Sequence, residues 1–100
     1  MEKSIVNQKI NEAGIVAILR SSSSEHFLKA SKALIEGGIN TIEVTLTTPG
    51  ALASIRELAR EFQGKILLGE GSILEPKQAA EAIEAGACYV ITPVVRPQVI

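Results

Sequence analysis

Apolar, strand-like segments alternate along this chain with segments of helical periodicity, and this alternation limits the folds open to it. The strand-like segments cover 15–19, 41–46, 66–68 and 88–91. The helix-like segments cover 5–11, the stretch that ends at Gly37-Gly38, the stretch closed by Gly64, and the stretch from Pro76 to near Gly86. Short turns between strands and helices predict parallel strands joined by right-handed crossovers. The sequence therefore predicts an α/β fold built from (β/α) units.

Cap residues predict where the helices begin and which faces they bury. Ser22 and Glu25 have the spacing of a capping box. Thr48 followed by Pro49 predicts an N-cap with proline at the first helical position. In the last of the helices, helical spacing places Ile83 on the inward face.

Two architectures fit the alternation: a small open sheet with helices on both faces, and half of a (β/α)8 barrel. Such a barrel usually needs about 250 residues and rarely fewer than about 200, whereas this chain has 100. A polar stripe on the second strand favours the barrel, and so does the start of a further helix at 96–98. Four strands alone would leave two apolar edges unpaired. We therefore expect residues 1–100 to be one partial domain, the N-terminal half of a (β/α)8 TIM barrel in a longer protein.

The most informative polar side chain is Glu43, in the middle of the second strand. Side chains alternate along a strand, so Ile42 and Val44 share one side and Glu43 and Thr45 share the other. The strands before and after it are almost wholly apolar, which predicts that both sides are enclosed. A carboxylate in such a place is costly unless it is protonated, paired or in use. Glu43 is therefore a candidate general acid/base with a raised pKa, and a structural salt bridge to a barrel lysine or arginine is the alternative.

Composition excludes several classes of function. The formal net charge is −1 without a basic run, and Phe27, Phe62 and Tyr89 are scattered, which argues against nucleic-acid binding. Cys88 and His26 are the only residues of their types, which excludes an internal disulfide and a Cys-rich metal site. No apolar stretch is long enough to span a bilayer, and residues 1–12 have no apolar signal core. We expect a soluble cytoplasmic protein with no membrane partner and no nucleic-acid partner.

Four segments, in this order, carry a family resemblance. They read GIVAILR from Gly14, EGGINTIEVTLTTPGA from Glu36, LLGEGSIL from Leu67 and AGACYVITPVV from Ala85. Together they resemble the 2-keto-3-deoxy-6-phosphogluconate (KDPG) aldolase family, which includes the 4-hydroxy-2-oxoglutarate (KHG) aldolases. The resemblance covers residues 14–95 and implies a (β/α)8 barrel, usually a homotrimer. It also implies a class I aldolase, in which a lysine forms a Schiff base with pyruvate and no metal or cofactor takes part.

The resemblance also implies roles for individual residues. Glu43 matches the general acid/base of the family. Ser72 matches the pyruvate-binding threonine of the glycine loop, and Pro93 matches the proline after the fourth strand. Thr47 stands where some members hold a carboxylate-binding arginine. Threonine is acceptable there, so the resemblance implies that Thr47 is a substrate-binding residue, although the change weakens the case for an ionic clamp.

Other residues near the predicted active face have two interpretations each. Arg20 ends the first strand, where it would bind the substrate carboxylate or pair with Glu43 or Glu70. Gly69 and Gly71 would let a small acid approach the backbone of the third strand, or would form a tight turn with no ligand.

We expect this chain to contain no Schiff-base lysine, because the family's nucleophile lies on the sixth strand. Lys65 begins the third strand, about 20 Å from the active face. Lys77 lies in the first turn of a helix, outside the barrel.

Three functions stay open at this point. The first is a class I aldolase that cleaves a 2-keto-4-hydroxy acid to pyruvate plus glyceraldehyde 3-phosphate or glyoxylate, with this chain inactive alone. The second is a non-catalytic half-barrel that assembles with a partner or with itself. The third is another TIM-barrel enzyme, such as a sugar-phosphate epimerase, that uses Glu43 without a Schiff base.

Overall fold

The structure, a computed structural model, describes residues 2–21, 23 and 25–100. Its helices and strands are α1 (Lys3–Ala13), β1 (Ala17–Leu19), α2 (Phe27–Glu36), β2 (Thr41–Thr45), α3 (Ala51–Glu61), β3 (Leu67–Gly71), α4 (Pro76–Ala85) and β4 (Tyr89–Val90). All four strands are parallel and form one sheet in the order β1-β2-β3-β4. The predicted α/β fold of alternating units is therefore confirmed.

Strand order decides between the two predicted architectures. In a doubly wound open sheet the order reverses at one point, and the helices lie on both faces. Here each strand pairs with the next one in sequence. This is the connectivity of a (β/α)8 barrel, in which successive units add in one direction.

The main core lies between one face of the sheet and helices α2, α3 and α4. Its buried members are Leu19, Phe27, Ile42, Val44, Ala51, Ile55, Leu58, Leu68, Ala82, Ala85 and Ala87. Fully burying one Leu, Ile, Val or Phe side chain contributes roughly 1.5–3 kcal/mol, so this layer supplies most of the driving force for folding. The face that carries Ile42 and Val44 is thus the helical side of the sheet.

The opposite face of the sheet, which we call the inner face, is covered at one end by α1. Val6 of α1 packs with Leu67 and Tyr89, the first residues of β3 and β4. Because both residues begin their strands, α1 covers the amino ends and leaves the carboxyl ends of the strands open.

Apolar side chains are exposed beside both edges of the sheet. Ile15 and Ile18 near β1 are 59% and 60% exposed, and Val95 after β4 is 85% exposed. Strands β1 and β4 each pair with a single neighbour. A closed barrel would cover these two edges, and the extent of the domain beyond them stays a prediction.

The predicted N-cap at Thr48 is wrong. Helix α3 begins at Ala51, after Gly50 in the left-handed conformation at φ 72°. Residues 45–48 form a turn instead, in which the Thr48 N–H donates to the Thr45 carbonyl at 3.0 Å. The Thr48 hydroxyl pairs with Thr45 Oγ1 at 3.0 Å, so it is not available to cap the helix.

Two further details differ from the sequence predictions. Ile83 was expected to face inward, but it is 51% exposed, whereas Ala82 and Ala85 are buried. Successive residues of an α-helix are rotated by about 100° around its axis, so a helix that buries Ala82 directs Ile83 away from the core. The capping box falls partly on Ser22, which lies outside the described residues, and α2 begins later, at Phe27.

The segment at 96–98, predicted to start a further helix, forms one turn. The N–H groups of Val99 and Ile100 both donate to the Arg96 carbonyl, at 2.9 and 3.2 Å. In the described part of the chain no helix combines the length and hydropathy needed to cross a bilayer.

Candidate active site

The predicted site residues gather at one end of the sheet. Arg20 follows β1, Thr47 follows β2, Ser72 follows β3, and Pro93 lies three residues after the end of β4. Because the strands are parallel, their carboxyl ends meet at one edge, which is the active face in (β/α)8 barrels. The structure therefore brings these residues to the same open end, with Glu43 on the inner face below them.

Glu43 is the third residue of β2 and is 7% exposed. Its side chain lies on the inner face, opposite to Ile42 and Val44, as the alternation predicts. Among the described residues the single salt bridge joins Arg96 to Glu75, so the alternative of a structural ion pair at Glu43 finds no support. Burial raises the pKa of the Glu43 carboxyl.

The structure gives a reason for glycine at positions 69 and 71 of β3 that the sequence analysis missed. A Cβ added at Gly71 would overlap Oε2 of Glu43, and a Cβ added at Gly69 would overlap the ring of Tyr89. The glycines thus make room for two side chains of the protein itself. Only residues without a side chain at 69 and 71 allow Glu43 and Tyr89 to lie across β3.

Tyr89 is a site neighbour that the sequence analysis did not single out. It is buried, and its hydroxyl donates a hydrogen bond to the Ile42 carbonyl at 3.2 Å. Burial, and then the charge of Glu43, raise the pKa of the Tyr89 phenol. An aromatic residue two strands from an inward glutamate, with a glycine on the strand between them, was the available signal.

Threonines hold the carboxyl end of β2 in place. The hydroxyls of Thr45 and Thr48 pair at 3.0 Å, and the Ser21 N–H donates to Thr48 Oγ1 at 3.5 Å. Thr47 donates to Thr45 Oγ1 at 3.4 Å and is otherwise exposed. Its hydroxyl therefore lies at the open end, next to a fixed turn.

Ser72 has a backbone conformation that is unusual for a residue with a side chain. Its φ is 65°, in the left-handed region, which costs on the order of 1–3 kcal/mol for a residue other than glycine. Backbone hydrogen bonds on both sides hold it there, from Leu46 to Gly71 at 2.8 Å and from Ile73 to Ile91 at 3.1 Å. Strain of this kind is concentrated at functional sites.

Arg20 and Pro93 are both exposed at the open end. The expectation that Arg20 might instead pair with Glu43 or Glu70 is not met, since within the described residues it forms no salt bridge. Glu70 is out of its reach because that side chain lies on the helical side of the sheet, in register with Val44.

Glu70 is a second buried carboxyl that the sequence analysis did not assign. It is 0% exposed, and neither carboxyl oxygen has a hydrogen-bond partner among residues 2–21, 23 and 25–100. Burial, together with the charge of Glu81 on α4, raises the pKa of Glu70 to about 7. Glu70 lies on the helical side of the sheet and Glu43 on the inner face, so the two carboxyls do not form a catalytic pair.

Lys65 and Lys77, the two lysines considered as nucleophiles, do not lie at the open end of the strands beside Glu43. Lys65 lines a cavity of about 460 Å³ at the amino ends of the strands, together with Lys9 of α1. Lys77 is exposed in the first turn of α4. Across the described ranges no group of three or more His, Cys, Asp or Glu side chains is placed to hold a metal ion.

Comparisons with known proteins identify the family. Residues 6–100 match the family described as KDPG and KHG aldolase. The KHG/KDPG aldolase of Escherichia coli (strain K12) is 39% identical over 79 residues, which are 79% of this chain and 37% of that protein. The 2-dehydro-3-deoxy-phosphogluconate aldolase of Dickeya dadantii (strain 3937) is 34% identical over 91% of this chain and 42% of that protein.

Solved structures show the same relationship. The 4-hydroxy-2-oxoglutarate/2-dehydro-3-deoxyphosphogluconate aldolase from TTHB1 superposes with a TM-score of 0.79 at 29% identity, over 99% of this chain and 46% of that one. A KDPG aldolase from Legionella pneumophila, with pyruvate captured as a covalent carbinolamine intermediate, gives a TM-score of 0.74 at 30% identity, over 84% of this chain and 40% of that one. The chain therefore spans less than half the length of these relatives. By the family match over residues 6–100 and the shared fold, this chain belongs to the KDPG and KHG aldolase family.

Proposed function

We propose that this chain forms the first half of a class I aldolase barrel, which cleaves a 2-keto-4-hydroxy acid to pyruvate and an aldehyde. The observation that carries the proposal is Glu43, a buried carboxyl without an ion pair on the inner face of the sheet, below the open end. The aldolase family to which the chain belongs suggests the reaction in which this acid would transfer protons. The same membership leaves the epimerase alternative without support.

Glu43 would act as the general acid/base. In the proposed reaction the substrate keto group forms an imine with a lysine, and Glu43 removes the proton from the substrate hydroxyl. The carbon–carbon bond then breaks, the aldehyde leaves, and the bonding electrons move into the imine. Glu43 returns its proton to carbon, and water releases pyruvate. Burial favours this role, because a carboxyl with a raised pKa is a stronger base than an unperturbed one.

Four residues at the open end would bind the keto acid. Ser72 and Thr47 would donate their hydroxyls to the pyruvate carboxylate, and Arg20 would supply a positive charge. Pro93 would form part of the pocket wall. Supporting this proposal, the strained backbone of Ser72 and the exposed hydroxyl of Thr47 both lie at the carboxyl ends of the strands.

The imine needs an amine near Glu43, and neither Lys65, at the amino ends of the strands, nor Lys77, in the first turn of α4, is placed to supply it. We infer that it comes from the part of the barrel that these residues do not form. The covalent carbinolamine captured in the Legionella relative supports this chemistry for the family. We also propose a small-molecule 2-keto acid substrate, with glyceraldehyde 3-phosphate or glyoxylate as the aldehyde product, a homotrimeric assembly and a cytoplasmic location.

A hybrid protein tests the proposal. In this hybrid barrel the 100 residues replace the matching segment of the Escherichia coli KHG/KDPG aldolase, which supplies the rest of the barrel. We expect borohydride reduction with pyruvate to add the mass of pyruvic acid less one oxygen atom, and we expect retro-aldol turnover. Glu43→Gln in the hybrid barrel should lower kcat by about 100-fold or more, the loss typical of a general acid/base.

The two readouts separate the competing functions. Glu57→Gln, a change of an exposed glutamate on α3, is the matched control and should leave turnover at the level of the parent hybrid barrel. Turnover that survives Glu43→Gln would exclude Glu43 as the acid/base. A hybrid barrel that folds and gains the pyruvate adduct but has no turnover would favour a non-catalytic half-barrel.

A further inference from the structure

We propose that Tyr89 is a positioning residue for Glu43, which fixes the β2 backbone next to Glu43 and confines its carboxyl to the inner face. This inference rests on the role proposed above for Glu43. It gives the only tyrosine of the chain a part in the site that the sequence analysis did not assign.

The three residues involved lie in one row across the sheet. Glu43 of β2 is in register with Gly69 of β3, and Gly69 is in register with Tyr89 of β4. Neighbouring strands are about 4.8 Å apart, so β4 and β2 are separated by roughly 10 Å. A tyrosine side chain can bridge that distance only when it lies flat across the strand between them.

Gly69 provides the surface on which the ring lies. A Cβ at this position would overlap three ring atoms of Tyr89. The ring therefore occupies the space that a side chain at position 69 would fill. Its hydroxyl reaches the Ile42 carbonyl at 3.2 Å, which joins β4 directly to β2.

The bond to Ile42 acts on Glu43 through the shared peptide group. The Ile42 carbonyl and the Glu43 N–H belong to the same peptide plane, so fixing one orients the other. Val6 of α1 packs against the ring in the inner-face cluster. The ring is thus held between α1 and β3, and its hydroxyl holds the backbone from which the Glu43 side chain extends.

A core role alone does not explain the hydroxyl. Phenylalanine would fill the same volume without a buried polar atom that needs a partner. The hydroxyl is instead directed at the one peptide carbonyl that precedes the glutamate. The charge of Glu43 also contributes, after burial, to the raised pKa of the Tyr89 phenol, which agrees with their placement on the same face of the sheet.

Tyr89→Phe tests the inference because it removes the hydroxyl and keeps the ring. We expect the Glu43 carboxyl, freed to move toward water at the open end, to titrate at a lower pH than in the parent protein. Carboxyl-carbon NMR titration of the 100-residue chain measures this shift, with Glu43→Gln used to assign the signal. The control is Ser54→Ala, which removes a buried hydroxyl from α3 on the helical side. It should leave the Glu43 titration unchanged.

Kinetics in the hybrid barrel provide a second readout. Tyr89→Phe should lower kcat by about 3- to 10-fold and leave KM within about twofold, because the substrate-binding residues are untouched. A Tyr89→Phe protein that is less stable but keeps the parent Glu43 titration and the parent kcat would overturn the inference. The titration does not depend on aldolase activity. If Glu43→Gln leaves turnover intact, the proposed function fails, while the NMR shift still decides whether Tyr89 positions the carboxyl.

Discussion

Glu43 and Glu70 are buried carboxyls on neighbouring strands that face opposite sides of the sheet. Burial raises the pKa of both. Only Glu43 lies on the inner face, where the strands end in exposed hydroxyl and guanidinium groups. A raised pKa therefore indicates an enclosed acid, and the face of the strand decides whether that acid can meet a substrate.

Glu70 should make the stability of the protein depend on pH. Its pKa is about 7 in the folded chain, against 4.5 for the unperturbed group, so the folded state binds the proton more tightly. The stabilisation is present at pH values below about 4.5 and is lost as pH rises through about 7. The loss amounts to roughly 3 kcal/mol at most, from about 1.4 kcal/mol for each pH unit between the two values.

Urea unfolding between pH 5 and pH 8.5 measures this effect. Glu70→Gln should flatten the decline of unfolding free energy with pH, since the amide does not titrate. Glu84→Gln, an exposed position on the same helix as Glu81, should keep the decline. A parent protein with equal stability at both ends of this pH range would contradict the burial of an ionisable Glu70.

At the scale of elements, the two glycines of β3 leave space on the inner face for the side chains of Glu43 from β2 and Tyr89 from β4. Gly71→Ala would force the new Cβ against the Glu43 carboxyl. We expect a loss of about 1–3 kcal/mol in unfolding free energy, as for other overpacked sites, together with reduced turnover in the hybrid barrel.

Gly37→Ala is the matched control for this change. At Gly37 the φ is −83°, and an added Cβ would make ordinary contacts of 3.5 and 3.6 Å to backbone oxygens. Its unfolding free energy should stay within about 0.5 kcal/mol of the parent value. Equal effects of the two substitutions would show that Gly71 is not specifically required.

Most of the elements could be predicted from the sequence, because each depends on a local pattern. The alternation gave the order of strands and helices, and the period of two placed Glu43 on the face away from Ile42. The start of α3 could not be predicted, because the Thr48 hydroxyl is engaged by Thr45, a contact set by the turn between them. Tyr89 was missed for a similar reason: its bond to Ile42 joins residues 47 positions apart.

At the scale of the whole molecule, we propose that these 100 residues carry the proton-transfer group and that the amine comes from another part of the barrel. We therefore predict that the chain alone gains no mass when it is treated with pyruvate and borohydride. Intact-mass measurement checks this, with the hybrid barrel as the positive control. A pyruvate-dependent adduct on the isolated chain would mean that one of its own lysines forms the imine.

The exposed edges of the sheet belong to the same scale. Ile18 lies in register with Glu43 on the inner face and is 60% exposed, so the row that holds the acid/base also reaches the open edge. A closed barrel would cover this row and shield Glu43 further from water.

The ring of Tyr89 resting on Gly69 has a consequence for how this sequence can change over time. Enlarging position 69 first produces a collision, and shrinking position 89 first opens a void and releases β2. Positions 69 and 89 can therefore change only together, so that a larger side chain at 69 is matched by a smaller one at 89. A protein engineer who wishes to reshape the floor of this pocket must therefore substitute both positions in a single step.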